Sequence, residues 1–224
     1  AMATSTVEDY LKQIYQAQLT SPGSLVPTGQ VASALEVAPG TATAMVKTLA
    51  EAGLVEYEPY SGVCLTSAGE KLASHVLRRH RLVELFLVEV MGMDWSEVHS
   101  EAELLEHAVS ERLLRRIDTM LGGPQVDPHG DPIPTAGGEV ATADYANLVT
   151  CPVEATLMLV QVTDQTSDFL RLMESYGLLP GVPVEVVARD EQADTVEVRP
   201  LGGNRVSLGF RAASKIRVAP PTDS

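Results

Sequence analysis

Residues 96–107 hold the side chains whose types and spacing are most suited to chemistry. If this stretch is helical, His99, Glu103, Glu106 and His107 fall within an arc of roughly 100°, because successive residues turn by about 100°. One face would then present two imidazoles and two carboxylates. These groups are common ligands of divalent transition metals, so the spacing indicates a metal site.

The opposite face of this predicted helix is apolar. Leu104, Leu105 and Ala108 lie there, and we expect them to face a hydrophobic core. A surface helix with a charged, solvated face has the same pattern. The spacing alone therefore leaves a metal site and a solvated face both open.

Composition places the chain among ordinary globular proteins. It has 224 residues, of which 45% are hydrophobic, and no apolar run approaches the roughly 18 residues of a membrane span. No secretion signal is visible at the start. The two cysteines, Cys64 and Cys151, are too few for a disulfide framework, which favours a cytoplasmic location.

The net charge of −14 is unevenly distributed. Residues 1–82 have a net charge of −1, residues 83–150 of −10, and residues 151–224 of −3. The first third is nearly neutral and can approach DNA. The acidic middle third, which contains the candidate ligands, needs cations.

A helix-turn-helix with a wing is predicted near the start of the chain. A first helix over residues 4–18 precedes two short helices at 29–35 and 41–52, and strands follow at 54–58 and 63–66. This arrangement is typical of DNA-binding modules. A three-helix unit without a ligand, or one that contacts protein, would show the same pattern.

The second short helix would enter the major groove by its N-terminal end. Small residues there allow close approach, and Lys47 can reach a phosphate. Tyr60 lies in the turn of the wing, which carries no Lys or Arg and is therefore weak evidence for DNA binding. The predicted DNA contacts are Ala38, Pro39, Gly40, Thr41, Thr43, Ala44, Lys47 and Tyr60.

A long helix is predicted over residues 67–90. His80 and Glu84 stand four residues apart on it, a spacing that suits either a shared metal or a hydrogen-bonded pair. Its apolar positions are too many for one stripe, so we expect its far end to share a core with a second subunit. Another amphipathic helix is predicted at 110–121.

The last part of the chain changes character. Residues 122–150 are rich in Gly and Pro and are typical of a linker, within which we expect His129 to be structural or exposed. Residues 151–219 predict a small β-barrel with one helix at 168–175. Its strands are expected at 156–162, 182–188, 195–199, 205–208 and 215–218.

Several motifs together resemble the diphtheria toxin repressor family of metal-dependent transcriptional regulators. They are Glu8-Asp9-Tyr10-Leu11, Gly53-Leu54-Val55, Arg79-His80-Arg81-Leu82, His99-Ser100-Glu101-Ala102, Glu106-His107 and His129-Gly130-Asp131-Pro132-Ile133-Pro134. The resemblance covers nearly the whole chain. It implies a winged helix-turn-helix domain at 1–74, a helical metal-binding and dimerisation domain at 75–150, and an all-β SH3-like domain at 151–219.

The resemblance also assigns ligands position by position. The primary site would use Asp9, Glu103, Glu106 and His107. A second site would use His80, Glu84 and His99, with Glu103 or Glu106 as a ligand that bridges the two sites. The SH3-like domain would add Asp164, Gln165 and Asp168, where the correspondence is looser.

Two positions favour manganese. The iron-sensing branch of the family has Met where this chain has Asp9 and Cys where it has Glu103. Hard oxygen ligands suit Mn(II), whereas sulfur helps to hold Fe(II) and later metals. Lys12 departs from compact manganese regulators, which have an acidic residue there, so two closely bridged ions are not expected.

The resulting hypothesis is a homodimeric repressor that binds palindromic operator DNA when each subunit holds two Mn(II) ions. Fe(II) is the alternative effector, and Co(II) or Zn(II) are possible substitutes. No membrane or organic substrate is expected. A metallohydrolase is the competing class, but it would need an open ligand position and a substrate cleft, and the chain has no nucleophile motif or phosphate loop.

Overall fold

The structure is a computed structural model that describes residues 4–141 and 143–221. The chain divides into two compact units. The first comprises residues up to 80 together with 106–109 and 134–140, and the second comprises 81–105, 110–133 and the residues from 141 onwards. Among the described residues, no helix combines the length and apolar character needed to cross a membrane.

The first unit contains the predicted helix-turn-helix. Its three helices are α1 (Ser5–Thr20), α2 (Thr28–Ala34) and α3 (Pro39–Glu51). The Thr4 hydroxyl caps α1 by accepting a hydrogen bond from the Val7 amide at 3.4 Å. The helices share one core, in which Leu11 and Ile14 of α1 accompany Val46 and Leu49 of α3. The position of α1 is therefore coupled to that of α3.

A β-hairpin follows α3 and forms the wing. Strands β1 (Val55–Glu58) and β2 (Gly62–Leu65) pair in antiparallel register, and Val26 exchanges two backbone hydrogen bonds with Val63 on the other side of β2. At the tip, Tyr60 has a φ of 67°, a left-handed conformation that few non-glycine residues adopt. This turn leaves the Tyr60 side chain fully exposed.

Three further helices are α4 (Ser67–Glu89), α5 (Val98–Leu105) and α6 (Glu111–Met120). The prediction of one helix over residues 96–107 was wrong at its C-terminal end, because α5 stops at Leu105 and Glu106 and His107 lie in the turn that follows. Glu106 is completely buried and pairs with Lys12 and His80. Those contacts are not encoded locally.

The predicted burial of the apolar face was also wrong, since Leu104, Leu105 and Ala108 are all exposed. Leu104 is 73% exposed and Leu105 is more than one-third exposed, while Val98 and Ala102 are the buried residues of α5. Helical spacing identifies the direction in which a side chain leaves the helix. It does not show whether another part of the same chain packs against that face of the helix.

The second unit contains a six-stranded antiparallel sheet with the order β3-β8-β4-β5-β6-β7. Two short helices accompany it, α7 (Ser167–Ser175) and α8 (Phe210–Ala213). The strands are β3 (Ala146–Asn147), β4 (Thr156–Val162), β5 (Pro183–Asp190), β6 (Thr195–Pro200), β7 (Val206–Gly209) and β8 (Ile216–Ala219). The five longer strands were predicted nearly in place, whereas β3 and α8 were not predicted. The core under the sheet includes Trp95.

The segment predicted as a linker contains a folded loop at residues 125–133. The Ile133 amide donates to the Gln125 carbonyl at 2.8 Å, and the His129 carbonyl accepts from the Val162 amide at 2.9 Å. Gly130 has a φ of +88°, and a Cβ there would collide with the carbonyl oxygen of Val160. The loop therefore requires glycine at this position, and it holds the His129 side chain in a fully buried position.

Candidate metal centre

The first unit brings Asp9, Glu106 and His107 together. Asp9 lies near the start of α1, and the other two residues directly follow α5. Each offers one ligand atom, and these atoms lie within 4.8 Å of one another. Ligands about a single ion are separated by at most roughly 4.4 Å when each bond is about 2.2 Å long. Small side-chain adjustments would therefore let the three residues share one ion.

The buried Glu106 carboxylate is held by two other residues of the first unit. The Lys12 ammonium lies 2.6 Å from one of its oxygens, and His80 Nδ1 lies 2.6 Å from the other. Lys12 is only 1% exposed. A buried carboxylate needs such a partner, because an uncompensated charge in the interior is strongly unfavourable.

His107 is contacted on both ring nitrogens. Its Nε2 lies 2.9 Å from Asp9 Oδ1 and 3.5 Å from Glu106 Oε1, so this nitrogen faces the candidate ligands. Its Nδ1 lies 2.8 Å from Glu8 Oε2, and the other Glu8 oxygen lies 2.8 Å from an Arg79 nitrogen. The sequence placed Glu8 in a family motif but gave it no role of its own.

The second unit contains Glu84, His99 and Glu103. His99 Nδ1 is 3.1 Å from Glu84 Oε1, and His99 Nε2 is 3.6 Å from Glu103 Oε1. The His99 side chain is about half exposed. Glu84 and His99, two of the residues predicted to bind a second ion, thus lie close together. The third predicted ligand, His80, belongs to the first unit.

A second cluster in this unit was missed from the sequence. Glu84, Asp127 and His129 are all buried, and their ligand atoms also lie within 4.8 Å of one another. The available signal was the Asp-x-His spacing in residues 127–129. Because the surrounding Gly and Pro residues are typical of a linker, Asp127 and His129 were not predicted as ligands.

The hydrogen bonds of this cluster leave two atoms suited to a cation. His129 Nε2 lies 2.9 Å from the Trp95 carbonyl and donates a hydrogen bond to it, so Nδ1 is the ring nitrogen that can bind a metal. Within the part of the chain that the structure describes, neither His129 Nδ1 nor Asp127 Oδ2 has a hydrogen-bond partner. Asp127 Oδ2 lies 3.7 Å from Arg81 Nε, an ion pair without a hydrogen bond. A buried nitrogen and carboxylate oxygen that lack hydrogen bonds, beside Glu84, fit a divalent ion.

The raised pKa of Asp127 supports the same interpretation. Burial raises the pKa of Asp127 well above its ordinary value of 3.8. The nearby carboxylates of Asp131 and Glu84 raise this pKa further, while the Arg81 guanidinium lowers it. This excess of negative groups over the one arginine would be relieved by a cation.

Of the three residues predicted as ligands in the SH3-like domain, Asp164 and Gln165 form hydrogen bonds with other side chains, and Asp168 is exposed to solvent. Asp164 accepts hydrogen bonds from Lys215 and Thr166. Burial raises the pKa of Asp164, but these hydrogen bonds lower it more, so the net shift is downward. Gln165 donates to Asp131 Oδ2 at 2.8 Å, and Asp168 is exposed in the first turn of α7. Their assignment as ligands stays a prediction.

The predicted DNA contacts lie on an accessible part of the first unit. Six of them at the start of α3 are exposed, namely Ala38, Pro39, Gly40, Thr41, Ala44 and Lys47. Thr43 is partly buried, and its hydroxyl donates to the Pro39 carbonyl at 2.9 Å. Tyr60 stands at the tip of the wing. Their contact with DNA stays a prediction.

Three family models match consecutive parts of the chain. The N-terminal DNA-binding domain of the iron-dependent repressors matches residues 2–63, and their metal-binding and dimerisation domain matches residues 66–135. A FeoA domain matches residues 146–220. The iron-dependent repressor IdeR of Mycobacterium bovis is 33% identical over 225 residues, covering 95% of this chain and 96% of its own length.

The chain belongs to the diphtheria toxin repressor family. It is a metal-dependent transcriptional repressor of that family, as the resemblance predicted. The diphtheria toxin repressor of Corynebacterium diphtheriae is 31% identical over 196 residues, covering 83% of this chain and 85% of its own length.

Solved structures of similar fold support this family assignment. A manganese-dependent transcriptional repressor in complex with manganese has 42% identity and a TM-score of 0.87, over 95% of this chain and 99% of its own length. The apo form of the manganese-activated repressor ScaR has 31% identity and a TM-score of 0.77, over 95% and 100%. The predicted fold class, a helical N-terminal part followed by an SH3-like β domain, is confirmed.

Proposed function

We propose that this chain is a manganese-activated repressor. The observation that carries the proposal is the convergence of Asp9, Glu106 and His107 through oxygen and nitrogen atoms alone. Oxygen-rich ligand sets suit Mn(II), which binds proteins weakly and must be selected by the type of ligand. The manganese-dependent repressor that shares 42% identity supports this choice.

Asp9 and the pair Glu106–His107 reach the proposed ion from different parts of the first unit. When bound, the ion supplies positive charge between carboxylates that otherwise repel one another. Asp9 then holds α1 to the turn after α5. Since α1 shares its core with α3, this restricts the position of the helix that we expect to read DNA. The predicted participation of Glu103 stays a prediction.

We assign a second ion in each subunit to Glu84, Asp127 and His129. Their burial and the two atoms without a hydrogen-bond partner support this assignment. The set His80, Glu84 and His99 stays a prediction for the same ion. Trp95, the only tryptophan of the chain, separates the alternatives because its ring stacks on His129 with centroids 5.6 Å apart.

Titration with Co(II) while Trp95 fluorescence is recorded would test this assignment. An ion at Glu84, Asp127 and His129 should quench Trp95 in wild type and in His99→Ala but not in Asp127→Asn. The reverse pattern, with quenching lost only in His99→Ala, would contradict the assignment.

In the proposed repressor the effector binds the DNA-competent state more tightly, so it shifts the population towards that state. We propose a homodimer that binds palindromic DNA in the cytoplasm. The domain bounds 1–74, 75–150 and 151–219 stay part of this proposal. Fe(II) is the second candidate effector, because the IdeR relatives and the matched family models are iron-dependent by name.

Selection of bound fragments from the source genome distinguishes these effectors. The selection would be run with Mn(II), with Fe(II) without oxygen, and with chelator. Palindromic fragments recovered only with Mn(II) would support the proposal. Equal or better recovery with Fe(II) would favour the iron alternative, and recovery with chelator would contradict a metal switch.

A further inference from the structure

Glu8 stands next to the candidate metal centre on the side of His107 that faces away from the other ligands. Its Oε2 lies 2.8 Å from His107 Nδ1. The opposite ring nitrogen, Nε2, is the one that approaches Asp9 and Glu106. An imidazole that binds a metal through one nitrogen commonly donates its other N–H to a carboxylate or carbonyl. The Glu8 carboxylate has the correct position and charge to accept that hydrogen bond.

Arg79 fixes Glu8 in this position. An Arg79 terminal nitrogen lies 2.8 Å from Glu8 Oε1, and both side chains are more than four-fifths buried. One Glu8 oxygen therefore faces arginine and the other faces imidazole. Glu8 itself is in the first turn of α1, where a carboxylate is also favoured by the helix dipole.

We propose that Glu8, anchored by Arg79, is the positioning residue of the metal centre. It accepts a hydrogen bond from the Nδ1–H of His107. This directs the Nε2 lone pair towards the ion and fixes the orientation of the ring. Since Glu8 and Asp9 are adjacent on α1, this helix contacts His107 from both sides. The inference rests on the proposed function and adds a residue to it.

Removal of Glu8 should weaken Mn(II) binding. Loss of the group that orients a metal-binding histidine typically lowers metal affinity about 10–100-fold. Glu8→Ala should show a loss of that size in an equilibrium titration followed by the electron paramagnetic resonance of free Mn(II). Glu8→Gln keeps an oxygen acceptor and should recover most of the affinity. Arg79→Met should show an intermediate loss, because Glu8 remains but is less restrained.

A spectroscopic readout separates positioning from general stability. With the diamagnetic ion Zn(II) bound and the histidines labelled with ¹⁵N, the Nδ1–H of His107 should give a downfield proton resonance that is protected from exchange. The resonance is assigned by its absence from His107→Ala. It should persist in Glu8→Gln and be lost in Glu8→Ala.

Glu70→Ala is the matched control, because Glu70 is also a glutamate in the first turn of a helix but is exposed. It should leave Mn(II) affinity and the resonance unchanged. If Glu8→Ala binds Mn(II) as wild type does and keeps the resonance, Glu8 has no positioning role, although the proposed function stands. If His107→Ala binds Mn(II) as tightly as wild type, the centre is not at His107 and both proposals are wrong.

Discussion

Lys12 forms a nearly solvent-free ion pair with Glu106, at 2.6 Å with side-chain exposures of 1% and 0%. Its ammonium neutralises a carboxylate that is also a candidate metal ligand. A divalent ion at Glu106 would share or replace this interaction. Lys12 is therefore the residue at which metal binding and folding stability are expected to be linked.

The variant Lys12→Met should destabilise the metal-free protein by about 3 kcal/mol, since removing one partner of a buried pair leaves the other charge uncompensated. Urea unfolding in chelator would measure this loss. Saturating Mn(II) should restore part of it, because the ion supplies the missing positive charge. Lys71→Met, at an exposed position of α4, is the control and should change little. A Lys12→Met protein as stable as wild type in chelator would contradict this role.

Asp127 predicts a pH effect with a definite sign. Its pKa is higher in the folded chain than its ordinary value, so the folded state binds more protons over the interval between the two. The free energy of unfolding of the metal-free protein should therefore fall as pH rises through that interval, from about 4 upwards. Urea unfolding between pH 4 and 8 should show a smaller fall in Asp127→Asn than in wild type.

Asp164 provides a control of opposite sign for that measurement. Its pKa is lowered in the folded chain, so its contribution to stability is present at neutral pH and is lost as pH falls below its ordinary value. Asp164→Asn should lower stability at pH 7 without reducing the loss on the alkaline side. Identical pH profiles for wild type and Asp127→Asn would mean that Asp127 is not perturbed by burial.

At the scale of elements, the helices and longer strands could be predicted because local patterns determine them. The apolar spacing of α3 and the alternation in β4 arise from which face is buried, and both were found from the sequence. The end of α5 could not be found this way. Residues 103–107 have helical spacing, yet Glu106 and His107 lie in a turn, where Glu106 contacts the distant residues Lys12 and His80.

Some of the candidate ligands could likewise be predicted from the sequence and others could not. Asp9, Glu106 and His107 could be predicted through the family resemblance, and the structure brings them together. Asp127 and His129 could not, because their loop has no periodic pattern. Their burial beside Glu84 depends on contacts between residues more than 40 positions apart in the chain.

The helix α3 gives a prediction about DNA. Lys47 is exposed one turn beyond the residues expected to approach the bases. If it contacts a phosphate, Lys47→Ala should weaken binding to all sequences alike and reduce the slope of log affinity against log salt by about 0.9. Fluorescence anisotropy at several salt concentrations would measure both. Lys71→Ala, which removes a lysine from α4, should leave the slope unchanged, and an unchanged slope in Lys47→Ala would exclude the phosphate contact.

At the scale of the whole molecule, the chain exposes large apolar side chains within the part that matches a dimerisation domain. Leu104 is 73% exposed, and Leu113 and Met120 are at least half exposed. All three lie within residues 66–135, the range of the matched metal-binding and dimerisation domain. Their exposure within this range makes them candidates for the interface of the proposed dimer.

Placing a charge on that surface should dissociate the proposed dimer. Leu104→Glu is expected to sediment as a monomer at concentrations at which wild type sediments as a dimer, because a carboxylate would be buried without a partner. Leu201→Glu is the matched control, since Leu201 is 76% exposed but lies outside the dimerisation range. Dimers of unchanged stability in Leu104→Glu would place the interface elsewhere.

The central claim is that a metal held by Asp9, Glu106 and His107 controls DNA binding, and one measurement tests it most directly. It is the affinity of the full-length protein for a selected palindromic fragment, measured by anisotropy at fixed salt with Mn(II) and with chelator. Mn(II) should tighten binding on the order of 100-fold in wild type and have little effect in His107→Ala. Equal affinity with Mn(II) and chelator in wild type, or an undiminished response in His107→Ala, would contradict the account.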